Sequence, residues 1–174
     1  MSFAASRPIS SRPAAAPRPA SREEMPVLDL TPLNKGEPLD RLARELRHAC
    51  ETIGFFYVAN HGVPQSVVDN AFAANKRYFD LPFEERMKLR IDERFRRGFM
   101  PQGINKHPGY EADLKESYEF ALDLGLDDPA VVANLPLHGP NRWTAEHPWL
   151  REACEAYFNE TLALGKRLLR VFAL

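Results

Sequence analysis

The segment from Ala49 to Pro64 (ACETIGFFYVANHGVP) limits the possible folds more than any other part of the sequence, because its hydrophobic pattern changes twice. As far as Ile53, apolar residues recur every three or four positions, which is typical of one face of an amphipathic helix. Gly54 suits the left-handed position just past a helix, and the apolar run from Phe55 to Ala59 predicts a strand buried on both faces. The polar turn from Asn60 to Pro64 then ends the strand. The segment therefore predicts a helix, a buried strand and a turn in direct succession.

Similar patterns predict further elements on both sides of this segment. Residues 25–30 alternate between apolar and polar, which favours a short strand, and the first helical face begins at Leu39. A second helical pattern covers residues 64–79, residues 117–124 alternate again, and an apolar stripe at helical spacing runs from Pro148 to the last residue. Helices with a few short strands predict a mixed α/β fold. Loops are expected where proline and glycine cluster, at residues 31–38, 90–109 and 127–144.

Composition narrows the class of protein. The chain has 174 residues, which favours a single folded unit, and its formal net charge of −1 gives no general attraction to nucleic acid or to an acidic membrane. No apolar run is long enough to span a bilayer. Cys50 and Cys154 lie far apart within helical patterns, and we expect both to be buried free thiols, as in a reducing compartment. The expected location is the cytoplasm, with no nucleic acid and no membrane among the partners.

The first residues differ from the rest of the chain. Residues 1–24 are rich in Ser, Ala, Pro and Arg and contain no acidic residue before Glu23, which predicts a disordered tail. An organellar transit peptide has a similar composition, although four prolines in this segment would break the amphipathic helix that such a peptide needs. The predicted organisation is therefore a tail at 1–24, a mixed domain at 25–144 and a long helix at 145–174.

Few residues belong to a recognisable catalytic, metal-binding or cofactor-binding motif. None of the five histidines is followed two positions later by Asp or Glu, and the sequence has no C-x-x-C, G-x-S-x-G, phosphate-binding loop or dinucleotide fingerprint. His61 lies in a tight turn, where an imidazole bonded to the backbone is a better explanation than a ligand or a base. The basic run from Arg86 to Arg97 is interleaved with acids, which favours a solvated loop. A guanidinium beside Gly98 and Phe99 could instead bind a carboxylate.

Several of these segments together resemble the N-terminal domain of the non-haem Fe(II)- and 2-oxoglutarate-dependent oxygenases. The subgroup is that of isopenicillin N synthase, aminocyclopropanecarboxylate oxidase, flavonoid oxygenases and the ethylene-forming enzyme. Five short motifs follow one another in that family's order across the chain past the tail. They are MPVLDL at 25–30, the segment at 49–64 continued by KRYFDLPFEERMKL at 76–89, RRGF at 96–99, KESYEF at 115–120 and GPNRW at 139–143.

The resemblance implies a double-stranded β-helix, or jelly roll, preceded by this mixed helical domain. In that family a His-x-Asp motif and a distal His hold the iron, leaving positions for 2-oxoglutarate and dioxygen, and an Arg-x-Ser pair binds 2-oxoglutarate. Neither His-x-Asp nor Arg-x-Ser occurs in this sequence. We therefore expect an N-terminal portion whose barrel is largely missing, with a last helix that leads into the absent catalytic part. Fe(II) and 2-oxoglutarate are not expected to bind this chain alone.

The resemblance also assigns roles to a few residues. His61 matches the family's Asn-His-Gly turn, which does not bind the metal there and is scaffold. Arg96 matches the position where isopenicillin N synthase uses an arginine for a substrate carboxylate, and Phe99 follows where it can line the same pocket. The expected substrate-binding residues are therefore Arg96 and Phe99, with no catalytic and no metal-binding residue in this chain.

The expected function is that of the N-terminal portion of an oxygenase acting on a small organic substrate, inactive alone. Two alternatives stay open at this point. One is a stand-alone, non-catalytic domain that binds a partner through the exposed apolar stripe of its last helix, and the other is a truncated gene product. The sequence does not show whether the reaction is hydroxylation, desaturation, ring closure or ethylene formation. It also leaves open whether 2-oxoglutarate is used.

Overall fold

The computed structural model describes Ser21, residues 24–104, Pro108, Gly109 and residues 111–174. Nearly all of the predicted tail, and His107, lie outside the described residues. The described part is a mixed α/β structure of helices with a few short strands. In chain order its elements are β1 (Val27–Asp29), α1 (Thr31–Lys35), α2 (Asp40–Thr52), β2 (Tyr57–Ala59), α3 (Gln65–Phe79), α4 (Phe83–Met87), β3 (Gly98–Met100), β4 (Ser117–Glu119), α5 (Pro129–Val132) and α6 (Pro148–Phe172).

The succession predicted for residues 49–64 is confirmed in outline, with one correction. Helix α2 ends next to Gly54, whose φ of 85° is the left-handed conformation expected there, and strand β2 follows. Within the described residues, strand β2 pairs in parallel with β1 and with no other strand. The prediction that this run is buried on both faces is wrong, because Phe55 is 71% and Tyr57 is 63% exposed. Only one face of the two-stranded sheet packs on the core, through Phe56 and Val58.

The turn after β2 is held from three directions. The carboxylate of Asp29 accepts a hydrogen bond from the Asn60 side chain at 2.8 Å, and the Asn34 amide donates to the Asn60 carbonyl at 2.6 Å. Arg167 on α6 donates to the carbonyl of His61 at 2.9 Å. The His61 Nδ1 atom accepts from the backbone N–H of Val63 at 3.1 Å, so the predicted bond between this imidazole and the turn backbone is confirmed.

Three segments predicted as loops contain short elements. Residues 31–38 include α1, which has Pro32 in its first turn and ends at Gly36 with φ of 71°. Residues 127–144 include α5, whose first turn is capped because the Asp128 side chain accepts from the N–H of Ala130 at 2.8 Å. Residues 90–109 include β3. These elements are three to five residues long, too short for a hydrophobic period to reveal them.

The strand predicted at residues 117–124 is shorter than expected. Strand β4 ends at Glu119, and the residues that follow are held by a side chain and, further on, by an isolated bridge between Asp123 and Gly139. Asn141 donates to the carbonyl of Ala121 at 2.7 Å and accepts from its N–H at 3.0 Å. This amide satisfies the backbone groups that a strand partner would otherwise bind.

Helix α6 joins the two parts of the hydrophobic core. Its last turn contributes Val171 to a cluster formed by β1, α1 and α2, and its first turn contributes Leu150 to a cluster around Tyr78 and Phe99. The long helix predicted from Pro148 is confirmed. The expectation that its apolar stripe is exposed and available for association is not supported, because this helix packs against α3 and α2. The large apolar residues that remain exposed on α6 are Tyr157, Leu162, Leu169 and Phe172.

Two further expectations concern cysteines and membranes. Both cysteines are free, but Cys50 is exposed and only Cys154 is half-buried, so the prediction of two buried thiols is wrong for Cys50. That residue lies at the edge of the helical face whose Leu46 and Ala49 are buried. Among the described residues, none of the helices combines the length and the apolar character that a membrane span requires.

Candidate functional site

The candidate site lies at the β3–β4 hairpin and the turn that precedes it. The strands pair antiparallel with Phe99 opposite Tyr118, and the chain before β3 folds back on itself through a bridge between Asp92 and Arg97. The Asp92 N–H donates to the Arg97 carbonyl at 2.8 Å, and the Asp92 carboxylate accepts from the N–H of Phe95 at 2.8 Å. The side chain of Asp92 therefore closes the turn that carries Arg96, one of the two predicted substrate-binding residues.

Gly98 sets how closely this turn approaches the segment after α4. Its φ is 112°, and a Cβ built there would lie 2.3 Å from the carbonyl oxygen of Leu89. That same oxygen accepts from the N–H of Phe99 at 2.7 Å. Because backbone approaches backbone here, glycine is required on both conformational and steric grounds.

The structure does not bring the two predicted substrate-binding residues to one surface. Arg96 is half-buried in the turn, with φ of 58°, and its N–H donates to the carbonyl of Asp92 at 2.9 Å. The Phe99 side chain has no exposed surface and packs against Tyr78 and Phe79. A ligand reaches Phe99 only if its neighbours move, so the direct contact predicted for Phe99 would need a rearrangement. Both roles remain predictions.

Arg97, which sequence reasoning passed over, is the buried charge of this site. It is 4% exposed, and its guanidinium donates to backbone carbonyls of the turn and of Leu137. Burial lowers the pKa of Arg97, and the negative charges of Asp123 and Glu119 act in the opposite direction. Its neighbour Arg96 has the same residue type, so the sequence offers no signal to tell which of the two faces inwards.

An ion pair links α4 to the start of β4. Arg86 Nη1 lies 2.6 Å from Glu116 Oε2, with 13% and 28% of the two side chains exposed. The contact is not a well-directed hydrogen bond, since Arg86 Nε and Nη1 lack acceptors of good geometry among the described residues. The guanidinium also lies 5.1 Å from the centre of the Phe99 ring, where a cation is attracted by the aromatic face. This pair fixes the position of β4 relative to α4.

A cleft of about 710 Å³ opens beside the hairpin, between α3, β4 and α6. Tyr78 and Tyr118 are among its lining residues, and burial raises the pKa of both phenols well above the usual value. Their hydroxyl groups donate to the backbone carbonyls of Arg86 and Arg142. The cleft is lined by Ala71, Phe72, Asn75, Tyr78, Phe79, Glu116, Ser117, Tyr118, Phe120, Leu150, Cys154 and Tyr157.

Two groups on the cleft wall are polar but lack strong partners. The Ser117 hydroxyl is buried and has no hydrogen-bond partner among the described residues. Burial raises the pKa of the Cys154 thiol to about 11, which keeps it protonated and unreactive near neutral pH. Phe72 is 73% exposed on the α3 side. The cleft is thus mainly an apolar surface, and its described lining residues do not combine an acid, a base and a nucleophile in hydrogen-bonding contact.

The described residues do not fit an Fe(II) site of the kind that the resemblance implies. The one group of three metal-binding side chains among them is Glu85, Glu146 and His147. It supplies a single imidazole, whereas the oxygenase iron site uses two histidines and one carboxylate. The ammonium of Lys88 already lies 2.7 Å from Glu85 and 3.1 Å from Glu146, and its charge would repel a cation. No chemical step can be assigned to iron or 2-oxoglutarate on these residues.

Comparison with known proteins gives one family. Residues 25–146 match the family described as the non-haem dioxygenase in morphine synthesis N-terminal domain. Azadirone synthase of Melia azedarach is 36% identical over 159 residues, covering 88% of this chain and 47% of the relative. A 2-oxoglutarate-Fe(II) type oxidoreductase of Metarhizium rileyi is 34% identical over 171 residues, covering 90% of this chain and 46% of the relative.

Solved structures show the same fold. The crystal structure described as a putative 2OG-Fe(II) oxygenase family protein from Caulobacter crescentus superposes with a TM-score of 0.72 at 24% identity, over 86% of this chain and 47% of that one. The chain spans about half the length of the curated relatives it matches. The matched residues are those of the N-terminal domain, and they include every motif that carried the resemblance. The chain therefore belongs to the non-haem, 2-oxoglutarate-Fe(II) dioxygenase family, and its similarity covers the N-terminal half of that family's enzymes.

Proposed function

We propose that this chain is the N-terminal portion of a non-haem Fe(II)- and 2-oxoglutarate-dependent oxygenase that oxidises a small organic substrate, and that it is inactive alone. The observation that carries the proposal is the match of residues 25–146 to the family's N-terminal domain, in a chain that covers less than half of its relatives. The sequence lacks His-x-Asp and Arg-x-Ser, so the iron and 2-oxoglutarate would be held by the remainder of the enzyme.

In this proposal the β3–β4 hairpin is part of the jelly roll, and the apolar cleft beside it receives further strands. The hairpin is two-stranded among the described residues, which leaves strand edges with unpaired backbone groups. Phe72 lies in the cleft wall and is 73% exposed, which is costly for a large aromatic side chain unless something covers it. Packing of strands into the cleft would bury this surface and complete the sheet.

Arg96 is the proposed contact with substrate. Its guanidinium forms no hydrogen bond or ion pair with any residue that the structure describes, and it is carried by a turn that Asp92 and Gly98 fix in place. A guanidinium without a partner among the described residues, on a rigid turn, suits a carboxylate, which it can bind through two parallel hydrogen bonds. Phe99 would support this contact indirectly, because its buried side chain anchors β3, the strand that follows the turn.

The proposal is tested with a chimera in which this chain replaces the matched N-terminal half of the Metarhizium rileyi relative. With Fe(II), 2-oxoglutarate and dioxygen, the chimera should release succinate, and the isolated chain should release no more than a control without protein. Succinate from the isolated chain would overturn the claim that it is inactive alone. A well-folded chimera without turnover would overturn the claim that this chain supplies the family's N-terminal half.

The cleft is tested within the same chimera. Phe72→Asp should leave the stability of the isolated chain almost unchanged, within about 0.5 kcal/mol, because the side chain is exposed there. In the chimera it should weaken folding and activity, because the new carboxylate would be buried against apolar strands. Asn70→Asp adds the same charge to α3 outside the cleft and should change neither. Equal effects of the two variants in the chimera would contradict burial of the cleft.

The alternative of a stand-alone binding domain is not favoured. It rested on an exposed apolar stripe along the last helix, and that helix packs against α3 and α2 instead.

A further inference from the structure

Two residues with long side chains have a left-handed backbone near the candidate site. The φ angle is 58° at Arg96 and 62° at Leu137. Such values are uncommon for residues other than Gly, Asn and Asp, and they persist where the surrounding structure enforces them. Leu137 is 61% exposed, so packing of its own side chain cannot enforce the conformation. Another group must hold both turns.

The guanidinium of Arg97 makes contact with both left-handed residues. Its Nη1 donates to the carbonyl of Phe95 at 2.7 Å and to the carbonyl of Arg96 at 3.3 Å, and its Nη2 donates to the carbonyl of Leu137 at 2.7 Å. Arg97 is 4% exposed, so these bonds are shielded from competing water. A guanidinium presents its donors in a rigid planar fork, which lets one side chain fix two separate turns relative to each other.

The other arginines of this turn have different roles. Arg94 is exposed, stacks on the ring of Phe95 with its Cζ 4.6 Å from the centroid, and donates to Asn134 at 3.4 Å. Arg96 is the only one of the three whose guanidinium has no hydrogen bond or ion pair to any part of the chain that the structure covers. One arginine of this turn therefore binds the backbone, and the guanidinium of the adjacent one has no partner among the described residues.

We propose that Arg97 is a positioning residue, which locks the two left-handed turns together so that the free guanidinium of Arg96 is presented to a carboxylate ligand. The positioning follows from the contacts of Arg97, whereas the carboxylate ligand rests on the proposed function. Lysine cannot replace Arg97, because one ammonium group cannot reach three carbonyls that lie on two turns.

The positioning is tested by NMR on the isolated chain, using Arg97→Lys. The amide proton lies closest to its own Hα at positive φ, so the wild-type chain should show a strong intraresidue cross-peak at Arg96 and at Leu137. Arg97→Lys should weaken both cross-peaks. Arg94→Lys removes a neighbouring arginine that touches neither of these two carbonyls, and it should leave both cross-peaks unchanged. Unchanged cross-peaks in Arg97→Lys would overturn the positioning role.

The ligand is tested separately, with acetate as the probe. Acetate should shift the side-chain Nε–H resonance of Arg96 in the wild-type chain, and Arg97→Lys should weaken that binding roughly fivefold or more. Equal binding in both proteins would overturn the proposal that Arg97 presents Arg96. No shift of Arg96 in the wild-type chain would overturn the carboxylate role in the proposed function, while the cross-peaks still decide the role of Arg97.

A second variant covers the case in which Arg97→Lys fails to fold. Asparagine adopts the left-handed conformation more readily than leucine does. Adding Leu137→Asn to Arg97→Lys should therefore recover a cooperative thermal transition, because the turn at Leu137 no longer needs to be held. If the double variant folds no better than Arg97→Lys alone, Arg97 does not act by holding the turn at Leu137.

Discussion

Replacing Gly98 by alanine should destabilise the chain through a contact between two backbone segments. A Cβ at this position would lie 2.3 Å from the carbonyl oxygen of Leu89, and the φ of 112° is unfavourable for any residue with a side chain. A strained φ costs about 1–3 kcal/mol, and moving the strand away costs about 1 kcal/mol for the hydrogen bond from Phe99 to Leu89. Together with overpacking, we expect Gly98→Ala to lower the free energy of unfolding by about 3–5 kcal/mol.

The matched control is Gly103→Ala. Gly103 also has a positive φ, of 85°, but a Cβ there would meet no atom of the described residues within 4 Å. This variant should cost only the conformational strain, about 1–2 kcal/mol. Urea unfolding followed by circular dichroism measures both free energies. If Gly98→Ala were no less stable than Gly103→Ala, the close approach of the turn to Leu89 would be refuted.

Three further results are expected from groups elsewhere in the structure. Glu116→Gln should destabilise the chain by about 1–3 kcal/mol in urea unfolding, because it leaves the largely buried charge of Arg86 unpaired. A loss of stability below about 0.3 kcal/mol, roughly the measurement error, would contradict that pairing. Hydrogen bonds from Asn60 and Thr31 lower the pKa of Asp29 to about 2, so the stability that this carboxylate contributes is present above about pH 4 and is lost as the pH falls towards 2. The melting temperatures of the wild type and Asp29→Asn should therefore converge as the pH falls through that window. A constant difference between them would contradict the lowered pKa. With burial raising the pKa of the Cys154 thiol to about 11, an exposed Cys50 should react with a thiol reagent at pH 8 well before Cys154 does, and equal rates would count against that burial.

The long amphipathic elements could be predicted because their residues repeat over several turns. Helix α2 has buried positions at Leu42, Leu46 and Ala49, which fall at the three- and four-residue steps that the sequence shows. Gly54 ends that helix with the positive φ that its position predicted. Periodicity failed for strand β3, because three residues give too few positions to distinguish a strand from a loop.

Burial of the strand at residues 55–59 was predicted wrongly for a related reason. An apolar run shows that a segment tends to be covered, but it does not say by which part of a protein. In the described chain only Phe56 and Val58 meet the core, and Phe55 and Tyr57 face outwards. The pattern is the same whether the covering segment belongs to this chain or to the remainder of a longer enzyme.

The candidate site shows a different limit of sequence reasoning. The adjacent residues Arg96 and Arg97 are chemically identical. Only the geometry separates a half-buried arginine whose side chain has no described partner from one that is 4% exposed. Phe99 could be recognised as part of a motif, but its position in the core depends on Tyr78 and Phe79, which are about twenty residues away. Roles that depend on such distant contacts cannot be read from local spacing.

Whether this chain supplies the N-terminal half of an oxygenase can be tested by determining the gene sequence beyond the codon for Leu174. We expect the reading frame to continue into a His-x-Asp motif, a distal His and an Arg-x-Ser pair. A stop codon immediately after Leu174 would contradict it, because no iron-binding or 2-oxoglutarate-binding residues would then be present on the same polypeptide.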